Sequence, residues 1–190
     1  SLYVELVPND KGWSVTIKNP IAVGNLYIPD NRKQRWYGHF SRLYLPKLNT
    51  KAKGNQQKIN PREIPPLDLT SDDFRYGDKA LGQVHIRLTP LPTGLTINKL
   101  TVKNNLFGIA VAGAWRDEQG HQQSNLSGQF GSRDLGRFLK NWGITSAVEG
   151  GSGAANFALT WPGSPRDFSA AKLSGNMNVD FRNGRISQVI

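Results

Sequence analysis

The sequence predicts an all-β protein, a meander of consecutive antiparallel strands with one short amphipathic helix. Three observations predict it. Apolar and polar residues alternate with period two through most of the chain. The 20 Gly and 11 Pro among 190 residues break those runs at short intervals. One stretch alone switches to a helical period.

In the strands, Trp13, Val15 and Ile17 alternate with Ser14, Thr16 and Lys18, and Val84, Ile86 and Leu88 alternate with His85, Arg87 and Thr89. Further on, Phe157, Leu159 and Trp161 alternate with Asn156, Ala158 and Thr160, and Leu173, Met177, Val179 and Phe181 with Ser174, Asn176, Asn178 and Asp180. Each run has an apolar and a polar side, as in an antiparallel sheet packed on one face. Pro92-Thr93-Gly94, Asp117-Glu118-Gln119-Gly120 and Asn183-Gly184 supply turns, the last as a hairpin because both residues tolerate positive φ. The helix is expected over 132–143. Ser132-Arg133-Asp134 supplies the cap, Leu135, Phe138, Leu139 and Trp142 form a stripe with helical spacing, and Gly143 ends it.

The net charge of +10 (24 basic against 14 acidic residues) sits mainly in the first third. Arg32, Lys33, Arg35, Lys47, Lys51, Lys53, Lys58 and Arg62 mark it, and residues 46–66 read as a basic, Pro-containing loop without regular structure. Such a stretch is either a solvated loop or a contact for an anionic surface, lipid headgroup or nucleic acid. Trp36, Tyr37, Phe40 and Tyr44 lie among these cations and would suit base stacking; Trp36 and Phe40 equally suit the apolar side of a strand.

Catalytic and metal chemistry is not expected. The chain has no Cys, which excludes disulfides, thiolate metal sites and cysteine nucleophiles. His39, His85 and His121 lack metal-ligand spacing, and His85 and His121 read as solvated. Asp72 and Asp73, adjacent on an extended chain, should point to opposite faces and form no dyad. Gly150-Gly151-Ser152-Gly153 lacks the lysine of a phosphate loop and reads as a flexible connection. No cofactor is implied. With 37% hydrophobic residues and a mean hydropathy of −0.48, no run is long enough for a transmembrane helix. The start at Ser1, without Met or leader, is expected of a piece of a longer chain.

Five blocks carry a resemblance. IPPLDLTSDDFRYGDKALG at 64–82, GAW at 113–115, SGQFGSRDLGRFLKNWG at 127–143, LTWPGSPRDFS at 159–169 and LSGNMNVDFRNGRI at 173–186 stand in the order and spacing of the carboxy-terminal part of YhdP-like members of the AsmA family. The chain resembles them over roughly residues 64–190. The resemblance implies an envelope-spanning periplasmic protein of Gram-negative bacteria, anchored in the inner membrane by an amino-terminal helix. It further implies a long twisted antiparallel meander sheet curved into a hydrophobic groove that carries phospholipid toward the outer membrane. The anchor helix is absent from these residues, and the strand pattern of the family continues past Ile190.

Pattern alone leaves two ways to cover an apolar sheet face, closure into a sandwich or barrel, or a bound ligand. The resemblance favours the groove. One segment, 1–190, is then expected to bind phospholipid acyl chains without catalysis, touching membrane through regions outside or at its ends, with envelope proteins as further partners. A basic nucleic-acid-binding sheet and a structural envelope scaffold are the alternatives. The expected lining is Leu95, Ile97, Ile109, Val111, Leu126, Phe130, Phe157, Leu159, Trp161, Met177 and Val179, with Leu135, Phe138, Leu139 and Trp142 of the helix as plug or gate.

Overall fold

The period-two runs pair with their sequence neighbours throughout the computed structural model, which describes residues 2–46 and 59–187. Eleven strands form one sheet in chain order. They are β1 (Tyr3–Asn9), β2 (Gly12–Lys18), β3 (Ala22–Pro29), β4 (Trp36–Leu45), β5 (Leu67–Tyr76) and β6 (Lys79–Leu91), then β7 (Gly94–Lys103), β8 (Phe107–Glu118), β9 (His121–Ser132), β10 (Val148–Pro162) and β11 (Ser174–Ile186). A short helix, α1 (Leu135–Asn141), stands between β9 and β10.

The sheet departs from a purely antiparallel meander at one place, where β4 and β5 run parallel. Their connection, residues 46–66, is the only long excursion between neighbouring strands before α1, and a parallel pair requires such a crossover to return the chain to its starting end. The described end of that connection holds a 3-10 turn at Pro61–Glu63, capped by Asn60, so it is more ordered than its composition predicted.

Register turns the alternation into two unbroken rows. One runs across all eleven strands through Leu6, Val15, Leu26, Gly38, Leu69, Ile86, Leu100, Val111, Gly128, Phe157 and Met177. The other faces the opposite way through Glu5, Thr16, Asn25, His39, Thr70, His85, Thr101, Ala110, Gln129, Asn156 and Asn178. The sheet therefore has one hydrocarbon face and one hydrophilic face from edge to edge. The glycines in the apolar row sit beneath larger neighbours: a Cβ on Gly38 would come 2.6 Å from Leu69 Cδ2.

Four irregularities interrupt the ladders. Register slips at Ser41–Arg42, Asp72–Asp73 and Asn98–Lys99 each put one extra residue on the polar side, and a fourth leaves Leu81 unpaired between Ala80 and Gly82. Bulges bend the strand that carries them and increase its twist, and the sheet is curved and does not close on itself. This also corrects the expectation for Asp72 and Asp73. The bulge turns both carboxylates to polar-face partners, Asp72 to His39 (3.2 Å) and Asp73 to the Tyr44 hydroxyl (2.5 Å).

Other local readings change as well. Asn183-Gly184 is not a hairpin turn but lies inside β11, where Asn183 (φ 56°) faces Gly151 (φ 75°) across the ladder. Left-handed residues suit a kink in a long strand as well as a turn, and the length of β10 decides for the kink. Gly150–Gly153 accordingly belongs to β10 and is no flexible connection. His85 is not simply solvated: its Nε2 lies 2.7 Å from Asp68 Oδ1. Pro92-Thr93 and Gln119-Gly120 do turn hairpins, with positive φ at Gln119 and Gly120.

Candidate functional site

The apolar face, continuous across all eleven strands, is the candidate site. Register places Leu95 and Ile97 of β7, Ile109 and Val111 of β8, Leu126 and Phe130 of β9, Phe157, Leu159 and Trp161 of β10, and Met177 and Val179 of β11 on that one face. Their exposure varies along it. Leu95 (2%) belongs to a core with Leu88, Ile97 and Trp115, against which Ile64, Leu67, Ile86, Leu100 and Leu126 pack. Met177 (53%) and Val179 (61%) stand open on β11. Sequence reasoning omitted the contribution of β1 to β6 to this face, above all Leu6, Val15, Leu26, Phe40, Leu69 and Ile86. The alternation that marked Trp13–Ile17 and Val84–Leu88 was the signal that could have found it.

Both ends of the face are roofed. At one end lies α1, shorter than the expected 132–143 because Ser132 still pairs in β9 and Asp134 is the cap, its Oδ1 accepting from Arg137 N–H at 3.0 Å. Gly143 (φ 66°) closes the helix as a Schellman motif: its N–H donates to Lys140 O and that of Ile144 to Leu139 O. Close approach to β10 is made by glycines. A Cβ on Gly136 would stand 2.5 Å from Val148 O, and one on Gly153 would stand 2.7 Å from Leu135 Cδ2. Phe138 then reaches the face, with ring centroids 5.0 Å from Phe107 and 4.6 Å from Phe130, and Trp142 meets Phe107 at 6.1 Å. Leu139 is half-buried. Lys79 Nζ, at the β5–β6 turn, donates to Asn141 O at 2.7 Å, so α1 is tied to the sheet at β10 and at β6.

At the other end, the segment between β10 and β11 folds back under a capping box, Ser164 with Asp167. Phe168 meets Trp161 edge to face at 5.3 Å, and Trp161 Nε1 donates to Ser164 O at 2.9 Å. The Ser164 hydroxyl and N–H both donate to Asp167, and the hydroxyl bond foremost holds its carboxyl below the ordinary carboxylate value. Gln122 Nε2 donates to Ile59 O at 3.0 Å, seating the Pro61–Glu63 turn beside it.

The expected anionic contacts divide. Arg35 turns inward, donating to Leu67 O (3.1 Å), Leu88 O (2.7 Å) and Thr89 Oγ1 (3.0 Å), and Arg62 donates to Asp117 O. Arg32 and Lys33 are exposed in the turn after β3. Lys47, Lys51, Lys53 and Lys58 lie outside the described residues. Trp36 and Phe40 share the apolar face, Phe40 buried there, while Tyr37 and Tyr44 face the other way, so these rings do not assemble one stacking platform.

Two surface depressions lie elsewhere. One of about 1210 Å³ takes in Gln83, His85, Thr101 and Lys103 and only Ile109 and Phe130 of the expected lining; one of about 470 Å³ takes in Ser14, Asn25, Tyr27, Tyr37 and His39. Both draw mainly on the polar face and share Thr70. Among the described residues no group of three His, Asp or Glu side chains is placed to hold a metal ion. No helix there is long and apolar enough to cross a membrane. What the apolar face offers is burial of hydrocarbon, about 0.8 kcal/mol per CH₂.

A family model described as "YhdP protein" matches residues 1–190. The intermembrane phospholipid transporter YhdP of Escherichia coli (strain K12) is 18% identical over 163 residues, 81% of this chain and 13% of that protein. The chain thus spans a small part of that relative's length. No solved structure matches it.

Proposed function

We propose, on the premise that the chain belongs to the YhdP family, that it is a non-enzymatic lipid-binding segment of a transporter carrying phospholipid between two membranes. The observation that carries this reading is the apolar row, continuous from β1 to β11. A conduit needs hydrocarbon lining without a polar interruption, since each unpaired polar group in the path would cost an acyl chain more than its CH₂ contacts return. Acyl chains lie along the row, headgroups stay in water, and the groove lining is the set from Leu95 to Val179 named above together with Leu6, Val15, Leu26, Leu69 and Ile86. Leu135, Phe138, Leu139 and Trp142 act as a plug or gate over Phe107 and Phe130. The relative named as an intermembrane phospholipid transporter supports the cargo. A periplasmic location between inner and outer membranes follows from that reading.

Leu159→Asp tests it. Leu159 is half-buried between Leu126 and Gly175, so its carboxylate keeps partial access to water and the fold should lose about 1 to 2 kcal/mol. Capture of a photo-crosslinkable phospholipid should fall at least tenfold. Thr160→Asp, on the polar face, should leave both unchanged. A folded Leu159→Asp protein that captures phospholipid like the parent refutes the groove.

A further inference from the structure

We infer that the trough on the polar face between β2 and β5 binds a neutral glycan, its sugar rings laid against Tyr27 and Tyr37. These two tyrosines are direct partners in the β3–β4 ladder and share a row with Ser14 and Asp68, while the next row of the same face holds Asn25 and Thr70. The two rows flank the depression of about 470 Å³. Folding gives these rings little reason to be there. Tyr37 is 54% exposed on a hydrophilic face, and neither ring meets another ring or a cation among the described residues. Tyr3 and Tyr44, by contrast, each carry a cation over the ring, Lys18 at 5.7 Å and Arg75 at 4.5 Å. The surrounding polar groups keep capacity to spare. Asn25 accepts from Thr16 Oγ1 through Oδ1 at 2.9 Å and retains its Nδ2 donors, and the Asp68 carboxylate can accept beyond its one contact with His85 at 2.7 Å.

The combination selects the ligand. Exposed aromatic faces beside donors and acceptors suit a molecule that is apolar on its flat side and hydroxylated at its rim. A pyranose has that form: its axial C–H bonds meet the negative face of a phenol ring, and each hydroxyl can accept from Asn25 or donate to Asp68. A nucleic acid would stack on the same rings, but no Lys or Arg lines the trough although the chain carries +10, and Asp68 would repel its phosphates. A proline-rich peptide brings carbonyl acceptors and few N–H donors, leaving Asp68 unmatched. The trough lies on the face opposite the proposed lipid groove, so the two readings stand or fall separately.

The test is calorimetric titration of the 190-residue chain with cellohexaose, maltohexaose and chitohexaose at millimolar concentration, in low and moderate salt. At least one should bind, with an affinity that salt leaves unchanged because the ligand carries no charge. Tyr27→Ala and Tyr37→Ala should each weaken it about tenfold, the worth of one ring stacked on an aromatic side chain. Tyr37→Phe, which keeps the ring, should retain most of the affinity, and Thr160→Asp, on the polar side of β10, should retain all of it. Leu159→Asp should bind the sugar like the parent while losing phospholipid capture, which separates failure of the trough from failure of the groove. Saturation transfer from tyrosine ring protons to sugar C–H protons in the parent reports the same stacking without any substitution. The inference is overturned by no binding of any of the three sugars, by no saturation transfer, or by equal binding in the parent and the Tyr27→Ala, Tyr37→Ala double variant. Tighter binding of decaproline or of a single-stranded oligonucleotide than of the best hexasaccharide overturns it as well.

Discussion

Replacing Gly136 by Ala sets two known effects against each other. In a helix interior Ala is favoured over Gly by about 1 kcal/mol. In α1, however, the new Cβ would stand 2.5 Å from Val148 O and 2.6 Å from Gly150 N, both backbone atoms of β10 that no rotamer change can move. The helix must withdraw by roughly 1 Å to reach ordinary van der Waals separation, and a gap of that size forfeits about a quarter to a half of the dispersion attraction across it. Three ring contacts cross that gap, Phe138 with Phe107 and Phe130, and Trp142 with Phe107. At about 0.5 to 1.5 kcal/mol each they lose about 1 kcal/mol together. Lifting Leu135 from Gly153 and rewetting part of Phe138 adds about 1 to 2 kcal/mol. Packing wins, and Gly136→Ala should be less stable by about 1 to 2 kcal/mol, with faster amide exchange in α1. Urea denaturation and hydrogen exchange measure both. Gly143→Ala is the control: its Cβ meets nothing within 4 Å, but its φ of 66° costs about 1 kcal/mol, without displacing the rings. A Gly136→Ala protein more stable than the parent would refute the close docking of α1.

Two further outcomes are expected. Leu95→Ala should cost about 2 to 4 kcal/mol by denaturant titration, because Leu95 is the most enclosed residue of the core, while Val179→Ala on open β11 should cost less than about 0.5 kcal/mol; equal costs would contradict the graded burial of the face. The Asp167 carboxyl is held below its ordinary value of 3.8 chiefly by the Ser164 hydroxyl, so its stabilising effect is fully present above pH 3.8 and is lost as pH falls through the lowered value. Asp167→Asn should remove this acid-sensitive increment, seen as a shallower loss of urea midpoint below pH 3.8, and parallel acid limbs in parent and variant would count against it.

The periodicity of the sequence was a faithful guide wherever one face of a strand is apolar and the other wet, as at Val84–Leu88 and Phe157–Trp161, because water and core impose opposite demands on successive residues. The helix was legible through its ends, Asp134 and Gly143, whose capping chemistry has few other uses. What escaped was anything that depends on a partner distant in the chain. Nothing local to Trp36–Leu45 or Leu67–Tyr76 says that they pair in parallel; only the length of the intervening connection hinted at it. Asn183-Gly184 carries the same backbone tolerance in a kink as in a turn, and the deciding fact is that β10 continues alongside. Likewise His85 was assigned to solvent from its own strand, while Asp68, which binds it, sits on the neighbouring one. The site lining on β7 to β11 was readable as a face, but its depth was not: Leu95 and Val179 look alike in sequence, and only packing beneath the Pro61–Glu63 turn separates them.

Strict chain order in the sheet has a kinetic consequence. Ten inter-strand spacings of about 4.8 Å give a ribbon about 48 Å wide, in which each strand depends on its two neighbours and on little else, much as in a repeat protein. Hairpins such as β6–β7 and β8–β9 close through short turns, so their entropy of closure is small and growth by adding the next strand is fast. The β4–β5 junction is the exception. There the chain must complete residues 46–66 before the next strand can dock, so folding is expected to divide into a β1–β4 leaf and a β5–β11 leaf that meet along the one parallel pair. Shortening that connection should stall the joining of the leaves while leaving each leaf intact, and a cut within it should leave two pieces that reassemble along a single parallel seam.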